Sequence, residues 1–346
     1  MATLRRSDPS RPGISRSRRG RGFSYTGPRG AVIQDEATLA RIRALSIPPA
    51  WEQVWISSDE RGHLQATGVD AAGRRQYLYH EAWRRRRDTQ KHRRIGSFAR
   101  TLPALRERVA DDLAHDDVDR DRVLACAVRL LDQAFFRVGS EEYAARNGSF
   151  GLATLRKSHL QLDGDTATVD FTAKSGKRRV QVVRDPEVAE VLRRLKRRRT
   201  GGVELLAYRE DDRWRDLRSA DINAYLKESC GEEHTAKDFR TWHATVLAAV
   251  DLASSGIEPT GPTAVRMATA ATARTVSEYL GNTPAVCRAS YIDPRVFERF
   301  AEGLTVAPAL AGLRADPMED QTAREMIESA VLDLLGDDGS ALARAA

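Results

Sequence analysis

Apolar residues recur at helical spacing through residues 120–139, "RDRVLACAVRLLDQAFFRVG", and stop at Gly139. The pattern predicts a buried helix ended by glycine. The same period predicts helices over 185–199, 219–229, 237–254, 263–280, 283–291 and about 319–335. Thr283-Pro284 reads as an N-cap followed by proline in the first helical position.

Two stretches alternate with period two instead. "HLQATGVDAAGRRQYLYH" (63–80) predicts two strands joined at Ala-Ala-Gly, with Arg75, Tyr77 and Tyr79 facing away from Gln76 and Leu78. "LRKSHLQLDGDTATVDFTAKSGKRRVQVV" (155–183) predicts three short antiparallel strands, turning at Asp163-Gly164-Asp165 and Lys174-Ser175-Gly176. A short helix near 35–46, closed by Pro48-Pro49, and a strand at "QVWIS" complete a β-rich region. The fold class is therefore α+β. A small β-rich N-terminal domain is expected at 22–90. A mainly α-helical domain holding a three-stranded antiparallel sheet is expected at 91–335. Residues 1–21, rich in Arg, Ser, Pro and Gly, read as a disordered basic arm, and 336–346 as a loose tail.

Composition narrows the function classes. Hydrophobic residues are 41% and charged residues 30% of 346, which suits a soluble globular chain with real cores. No apolar run reaches membrane-spanning length, so no membrane partner is expected. Arg5-Arg6 is followed by no apolar region, against a twin-arginine signal. Cys126, Cys230 and Cys287 are scattered and form no metal-ligand or disulfide pattern, which points to a cytoplasmic chain. The acidic stretch "DDLAHDDVDRDR" (111–122) mixes in arginines, lacks the flanking partners of a calcium loop or a paired nuclease carboxylate site, and reads as a solvated, helix-starting loop. No phosphate-cradling Gly-x-x-x-x-Gly-Lys-[Ser/Thr] loop is present. No cofactor is expected. The net charge of +7 is unevenly spread. Residues 1–22 carry seven arginines against one aspartate, 84–94 seven basic residues against one acid, and 193–199 six basic residues and no acid. Such clusters suit a polyanion, nucleic acid first.

Candidate chemistry is cationic. Arg137 follows Phe-Phe, and Lys174 sits at a hairpin tip. Lys237 and Arg240, three apart, share a helix face, with Phe239, His243, Val246 and Val250 expected as the buried stripe opposite. Taken singly, each has a structural reading. Arg137 caps a helix, Lys174 is a turn lysine, Arg240 makes an ion pair, and Tyr291 packs at a helix end. Taken in order, Arg…Lys…Lys-x-x-Arg…Asn-x8-Tyr is harder to dismiss.

"GRRQYLY" (73–79), "FFRVGSEEY" (135–143), "GLATLRKSHL" (151–160), the Lys174 hairpin, "KDFRTWHATVLAA" (237–249) and "ASYIDPRV" (289–296) together resemble a type IB DNA topoisomerase of the small poxvirus and bacterial kind. The resemblance implies a catalytic domain of the topoisomerase IB and tyrosine recombinase fold. It implies Tyr291 as the nucleophile, Arg137 and Arg240 as clamps on the non-bridging phosphate oxygens, and Lys174 as the acid for the departing 5′-oxygen, with Lys237 as helper. Most relatives have histidine where this chain has Asn282, whose amide donates but does not titrate. Gln76, Tyr77 and Tyr79 resemble groove-contacting residues, and Arg75 and Tyr143 join them as DNA contacts. The implied partner is duplex DNA, preferably supercoiled, clamped by a nucleoid-associated monomer. A tyrosine recombinase is the nearest alternative. Lys237 stands where recombinases usually carry histidine. A non-catalytic basic DNA-binding protein explains the charge runs but not the ordered residues.

Overall fold

The computed structural model describes residues 3–313 and 320–336, and the tail expected at 336–346 lies outside them save for its first residue. The chain divides into two compact units, 1–92 and 93–346.

The first unit is an antiparallel five-stranded sheet of order β2-β1-β3-β4-β5. Its strands are β1 (Ile14–Arg19), β2 (Gly22–Thr26), β3 (Glu52–Ile56), β4 (Leu64–Val69) and β5 (Arg75–Tyr79). Helix α1 (Glu36–Ala44) starts on Asp35, whose side chain accepts from the Thr38 N–H. Ile14, Ile42, Val54, Ile56 and Ala66 form the core, with Tyr25, Trp51 and Leu78 packed against it. The arm expected to be disordered is corrected here: residues 14–19 form β1, paired with β2 and, at Ile14 and Ser15, with β3. Arg16 explains how so polar a strand is held. Its guanidinium donates to the carbonyls of Ile47, Pro48 and Trp51 at 3.3, 3.1 and 2.6 Å and lies 4.1 Å from the centre of the Phe23 ring.

Helix α2 (Glu81–Leu113) carries the basic run 84–94. The second unit continues with α3 (Arg120–Ala134), α4 (Glu141–Asn147) and an antiparallel sheet, β6 (Leu160–Asp163), β7 (Thr166–Thr172) and β8 (Arg178–Arg184). Then come α5 (Pro186–Arg197), the hairpin β9 (Ala207–Glu210) and β10 (Arg213–Asp216), α6 (Ser219–Cys230), α7 (Ala236–Ser254) and α8 (Pro262–Leu280). The chain ends in α9 (Pro284–Ser290), α10 (Pro294–Ala301), α11 (Ala307–Ala311) and α12 (Gln321–Leu335). Helix α7 is central and packs on α3, α6, α8, α10, α11 and α12. That environment corrects the expected single buried stripe, because Val246 and Val250 are only half-buried while Arg240 is buried. Helix α3 ends at Ala134, short of the expected 139. Phe135 turns left-handed, at φ 55°, and its carbonyl accepts from Arg240 rather than from a further helical turn. The β9–β10 hairpin was not expected. It turns on Asp211-Asp212, both at positive φ, without the glycine that usually signals such a turn.

A buried ion network joins four helices. Arg106 of α2 donates to Asp132 of α3 at 2.9 and 3.0 Å and to Glu328 of α12 at 2.7 and 3.0 Å. Trp242 of α7 donates to the same Glu328 at 3.2 Å. Burial alone would raise the Asp132 carboxyl, but Arg106 and His243 hold it well below the usual carboxylate range. A depressed folded pKa adds stability above the unfolded value, lost as pH falls through the folded one. Arg106→Met leaves two buried carboxylates without their cation, and we expect a loss of about 3–5 kcal/mol at pH 7. The deficit should narrow towards pH 5, as the Asp132 carboxyl, buried and without Arg106, takes up a proton. Urea unfolding at both pH values measures it. An equal loss at the two would show that the charges are not the cause.

Candidate active site

Arg137 is delivered by the extended segment after α3. Its carbonyl accepts from the Leu152 N–H, and that of Val138 from the Ala153 N–H, both at 2.8 Å. This brings Gly139 against Gly151 so closely that a Cβ built on Gly151 would lie 2.5 Å from the Gly139 Cα. Backbone contact at that range excludes any side chain there. The segment is thereby fixed, and Arg137 points to a cavity of about 310 Å³.

That cavity is lined by Arg137, Tyr143, Lys174, Lys237, Arg240 and Tyr291, among others. Five of the six residues expected to act on a phosphate are thus brought together, and Tyr143 joins them from α4. Lys174 stands at the β7–β8 turn, where Ser175 adopts φ 67°. Lys237 is exposed in the first turn of α7, whose start is closed by the Asp238 carboxylate, accepting from the Thr235 N–H at 2.9 Å and the Thr235 hydroxyl at 3.2 Å. Arg240, one turn on, is 4% exposed. It donates to the Phe135 carbonyl at 2.5 Å and the Leu280 carbonyl at 2.7 Å, and its guanidinium carbon lies 5.4 Å from the centre of the Tyr291 ring.

Tyr291 is half-buried and occupies the break between α9 and α10, as the C-cap of α9. Thr283 caps α9 as the sequence predicts, accepting from the Val286 N–H at 3.3 Å. Helix α10 was not predicted. Asp293-Pro294 starts it by the same device, with the Asp293 side chain accepting from the Arg295 N–H. Thr245 of α7 pins this break. Its hydroxyl donates its one proton to the Thr241 carbonyl at 2.8 Å, accepts from the Asp293 N–H at 3.1 Å and lies 3.5 Å from the Tyr291 carbonyl. Sequence reasoning passed over Thr245, whose only signal was its place on the same helix as Arg240.

Asn282 lies just past α8. Gly281, at φ 64°, lets the Asn282 N–H return to the Ser277 carbonyl at 3.1 Å, a Schellman ending. The Asn282 Oδ1 accepts from Arg137 Nη2. Arg137 has donors only, so the amide oxygen must face it. The Asn282 Nδ2 is then left buried with no hydrogen-bond partner among the described residues. A buried amide donor without a partner is costly unless a ligand supplies an acceptor.

A third guanidinium was missed by the sequence reading. Arg179 of β8 donates to the carbonyls of Glu278 and Tyr279 at 3.0 and 2.5 Å. It thus ties the hairpin carrying Lys174 to the end of α8 that presents Asn282. Strand alternation sets Arg179 opposite Arg178, which pairs with Asp170, and was the one available signal.

Among the described residues, no carboxylate lies within ion-pair distance of Arg137, Arg179 or Arg240. Burial, with the like charge of Arg137, pushes the Arg240 guanidinium down to about 10. Burial lowers Arg137 and Arg179 in the same direction. These side chains remain cations at neutral pH, held close together without a counter-charge. The arrangement is built to receive an anion.

The DNA-contact residues expected in the first unit lie on β5. Arg75, Tyr77 and Tyr79 are exposed, and the two tyrosine rings stack at 6.2 Å and 18°. Gln76 faces the other way and donates to Asp70 at 2.9 Å, so it does not share their surface.

A family profile described as "Eukaryotic DNA topoisomerase I, catalytic core" matches residues 80–306. The chain belongs to the type IB DNA topoisomerase family. A second profile, "Bacterial DNA topoisomerase IB, N-terminal domain", matches residues 22–70. DNA topoisomerase 1B of Acanthamoeba polyphaga mimivirus is 30% identical over 261 residues, 73% of this chain and 77% of the viral one. DNA topoisomerase I of Monkeypox virus and DNA topoisomerase 1B of Vaccinia virus are each 25% identical over 124 residues, 36% of this chain and 39% of theirs. In this topoisomerase the fold is α+β as expected, and Arg137, Lys174, Lys237, Arg240 and Tyr291 all fall inside the catalytic-core match.

The Asn282 amide can be tested on its own. Asn282→Ala should slow single-turnover DNA cleavage by about 10–100-fold, the loss of one hydrogen-bond donor with partial loss of Arg137 orientation. Asn282→Asp keeps an acceptor for Arg137 but removes the donor and adds a negative charge. It should be slower still. A rate for Asn282→Asp at or above that of Asn282→Ala would show that the residue serves only to hold Arg137.

Proposed function

We propose that this chain nicks one strand of duplex DNA and reseals it, relaxing supercoils without ATP or a metal ion. The observation that carries the reading is the set of arginines around one tyrosine, sunk in the fold with no carboxylate beside them among the described residues, with two exposed lysines on the same cavity. The Tyr291 Oη attacks the phosphorus, and the bond from phosphorus to the 5′-oxygen breaks. The phenol proton leaves to solvent, and the departing 5′-oxygen takes a proton from Lys174, with Lys237 replenishing it. Arg137 and Arg240 hold the two non-bridging oxygens, where charge builds in the transition state, and the free Asn282 Nδ2 donates to one of them. Tyr291 then holds the 3′-phosphate, and the strand with the free 5′-hydroxyl rotates about its intact partner. The reverse attack reseals the strand, since the bond energy is kept in the phosphotyrosine. Arg75, Tyr77 and Tyr79 contact the sugar-phosphate rows and groove edges of the duplex, and a single chain suffices.

The test is relaxation of supercoiled plasmid in EDTA without nucleotide, followed by a denaturing gel for protein joined to the nick. We expect relaxation and attachment at the 3′ side. No relaxation, or attachment at the 5′ side, would refute the reading.

A further inference from the structure

Strand β1 meets β3 only at Ile14 and Ser15. Its remaining four residues pair with β2 alone, so Arg16–Arg19 and Gly22–Tyr25 form a two-stranded ribbon that overhangs the sheet. Such a ribbon has little core of its own and is marginal in water. Here it is kept in place by Ile14, which is buried, and by the three Arg16 bonds to backbone carbonyls. The sequence thus commits a buried apolar residue and an arginine to holding out a short polar tip.

The tip carries Arg18, Arg19 and Arg21, all exposed. Alternation sends Arg18 to one face of the ribbon and Arg19 to the other, while Arg21 sits in the turn. Several carboxylates of this unit are committed to other arginines: Asp8 to Arg11, Asp59 to Arg5, Glu36 to Arg43, Asp70 to Arg74 and Glu81 to Arg85. Among the described residues none lies within ion-pair distance of the three tip arginines. The match to the N-terminal-domain profile begins at residue 22, so β1 lies outside it.

We propose that this ribbon is a DNA-phosphate clamp, its three tip arginines contacting the backbone rows that border a groove of the duplex. The major groove of B-DNA, about 12 Å wide, admits a two-stranded ribbon. Arginines on both faces and at the end meet phosphates on either side of it. The contacts are to backbone, so they add affinity and salt dependence evenly across sequences. The inference rests on duplex DNA being the substrate.

The experiment is binding of a labelled duplex of arbitrary sequence by the full chain, followed by anisotropy from 50 to 200 mM KCl. The variant carrying Arg18→Ala, Arg19→Ala and Arg21→Ala leaves Ile14 and Arg16 untouched. Its slope of log affinity against log salt should be shallower than that of wild type by about 2–3, at roughly 0.9 for each phosphate no longer neutralised. Its affinity near 150 mM should fall on the order of a hundredfold. The variant with lysine at all three positions keeps the charge and should keep most of the slope. An unchanged slope in the alanine variant overturns the proposal. So does an equal loss in the lysine variant, which would mean that shape rather than charge was removed. A wild-type chain that binds no duplex overturns the topoisomerase reading itself, a result separate from either.

Discussion

Tyr291→Phe is expected to abolish relaxation, with strand cleavage slowed by at least about 10⁵-fold, as loss of a covalent nucleophile typically does. The change removes one oxygen. The ring stays under the Arg240 guanidinium, and the backbone bonds that hold its segment, from the Tyr291 N–H to the Cys287 carbonyl and from the Asp293 N–H to the Thr245 hydroxyl, do not involve the phenol. Fold and duplex affinity should therefore match wild type, which separates a chemical defect from a structural one. Tyr143 supplies the control, since it lines the same cavity. It stands on the short helix α4, and among the described residues no guanidinium lies over its ring as that of Arg240 does over Tyr291. Tyr143→Phe should leave the covalent adduct visible on a denaturing gel, and Tyr291→Phe should remove it. Persistence of the adduct in Tyr291→Phe would move the nucleophile elsewhere.

Much of the site was readable because it depends on local pattern. The Thr283-Pro284 cap places α9, and α9 ends at Tyr291. The turn at Lys174-Ser175-Gly176 puts Lys174 at a hairpin tip. Depth was not readable. A helical period says which residues share a face, and it set Lys237 with Arg240 on the outward one. It does not say that six other helices surround α7, so that Lys237 stays exposed while Arg240 is buried. Helix ends were missed for a similar reason. Nothing in "QAFFRVG" shows that the Phe135 carbonyl is claimed by an arginine 105 residues on. Strand β1 was hidden by composition. Its one buried apolar residue gives no alternation to detect, and the work of holding it falls to an arginine bonding to three carbonyls. Arginine used as an internal strut looks, in sequence, the same as arginine used as surface charge.

Arg240 combines both uses, and substitutions should separate them. As a strut it joins the end of α3 to the end of α8, through the carbonyls of Phe135 and Leu280. As a cation it lies over the Tyr291 ring and lines the same cavity. Arg240→Ala loses both. Two buried carbonyls are left unpaired, and we expect a stability loss of about 2–4 kcal/mol together with a cleavage rate lowered about 10³-fold. Arg240→Lys keeps the charge but gives up the planar fork, so it cannot bond two carbonyls and still face a phosphate. It should recover part of the stability and little of the rate, remaining about 10²-fold slow or worse. Arg137→Ala provides the contrast. Among the described residues the Arg137 side chain bonds to the Asn282 amide alone, so its loss should lower the rate about as much while leaving urea unfolding near wild type. Cleavage by Arg240→Lys at close to the wild-type rate would show that charge alone suffices, and that the buried fork serves the fold rather than the phosphate.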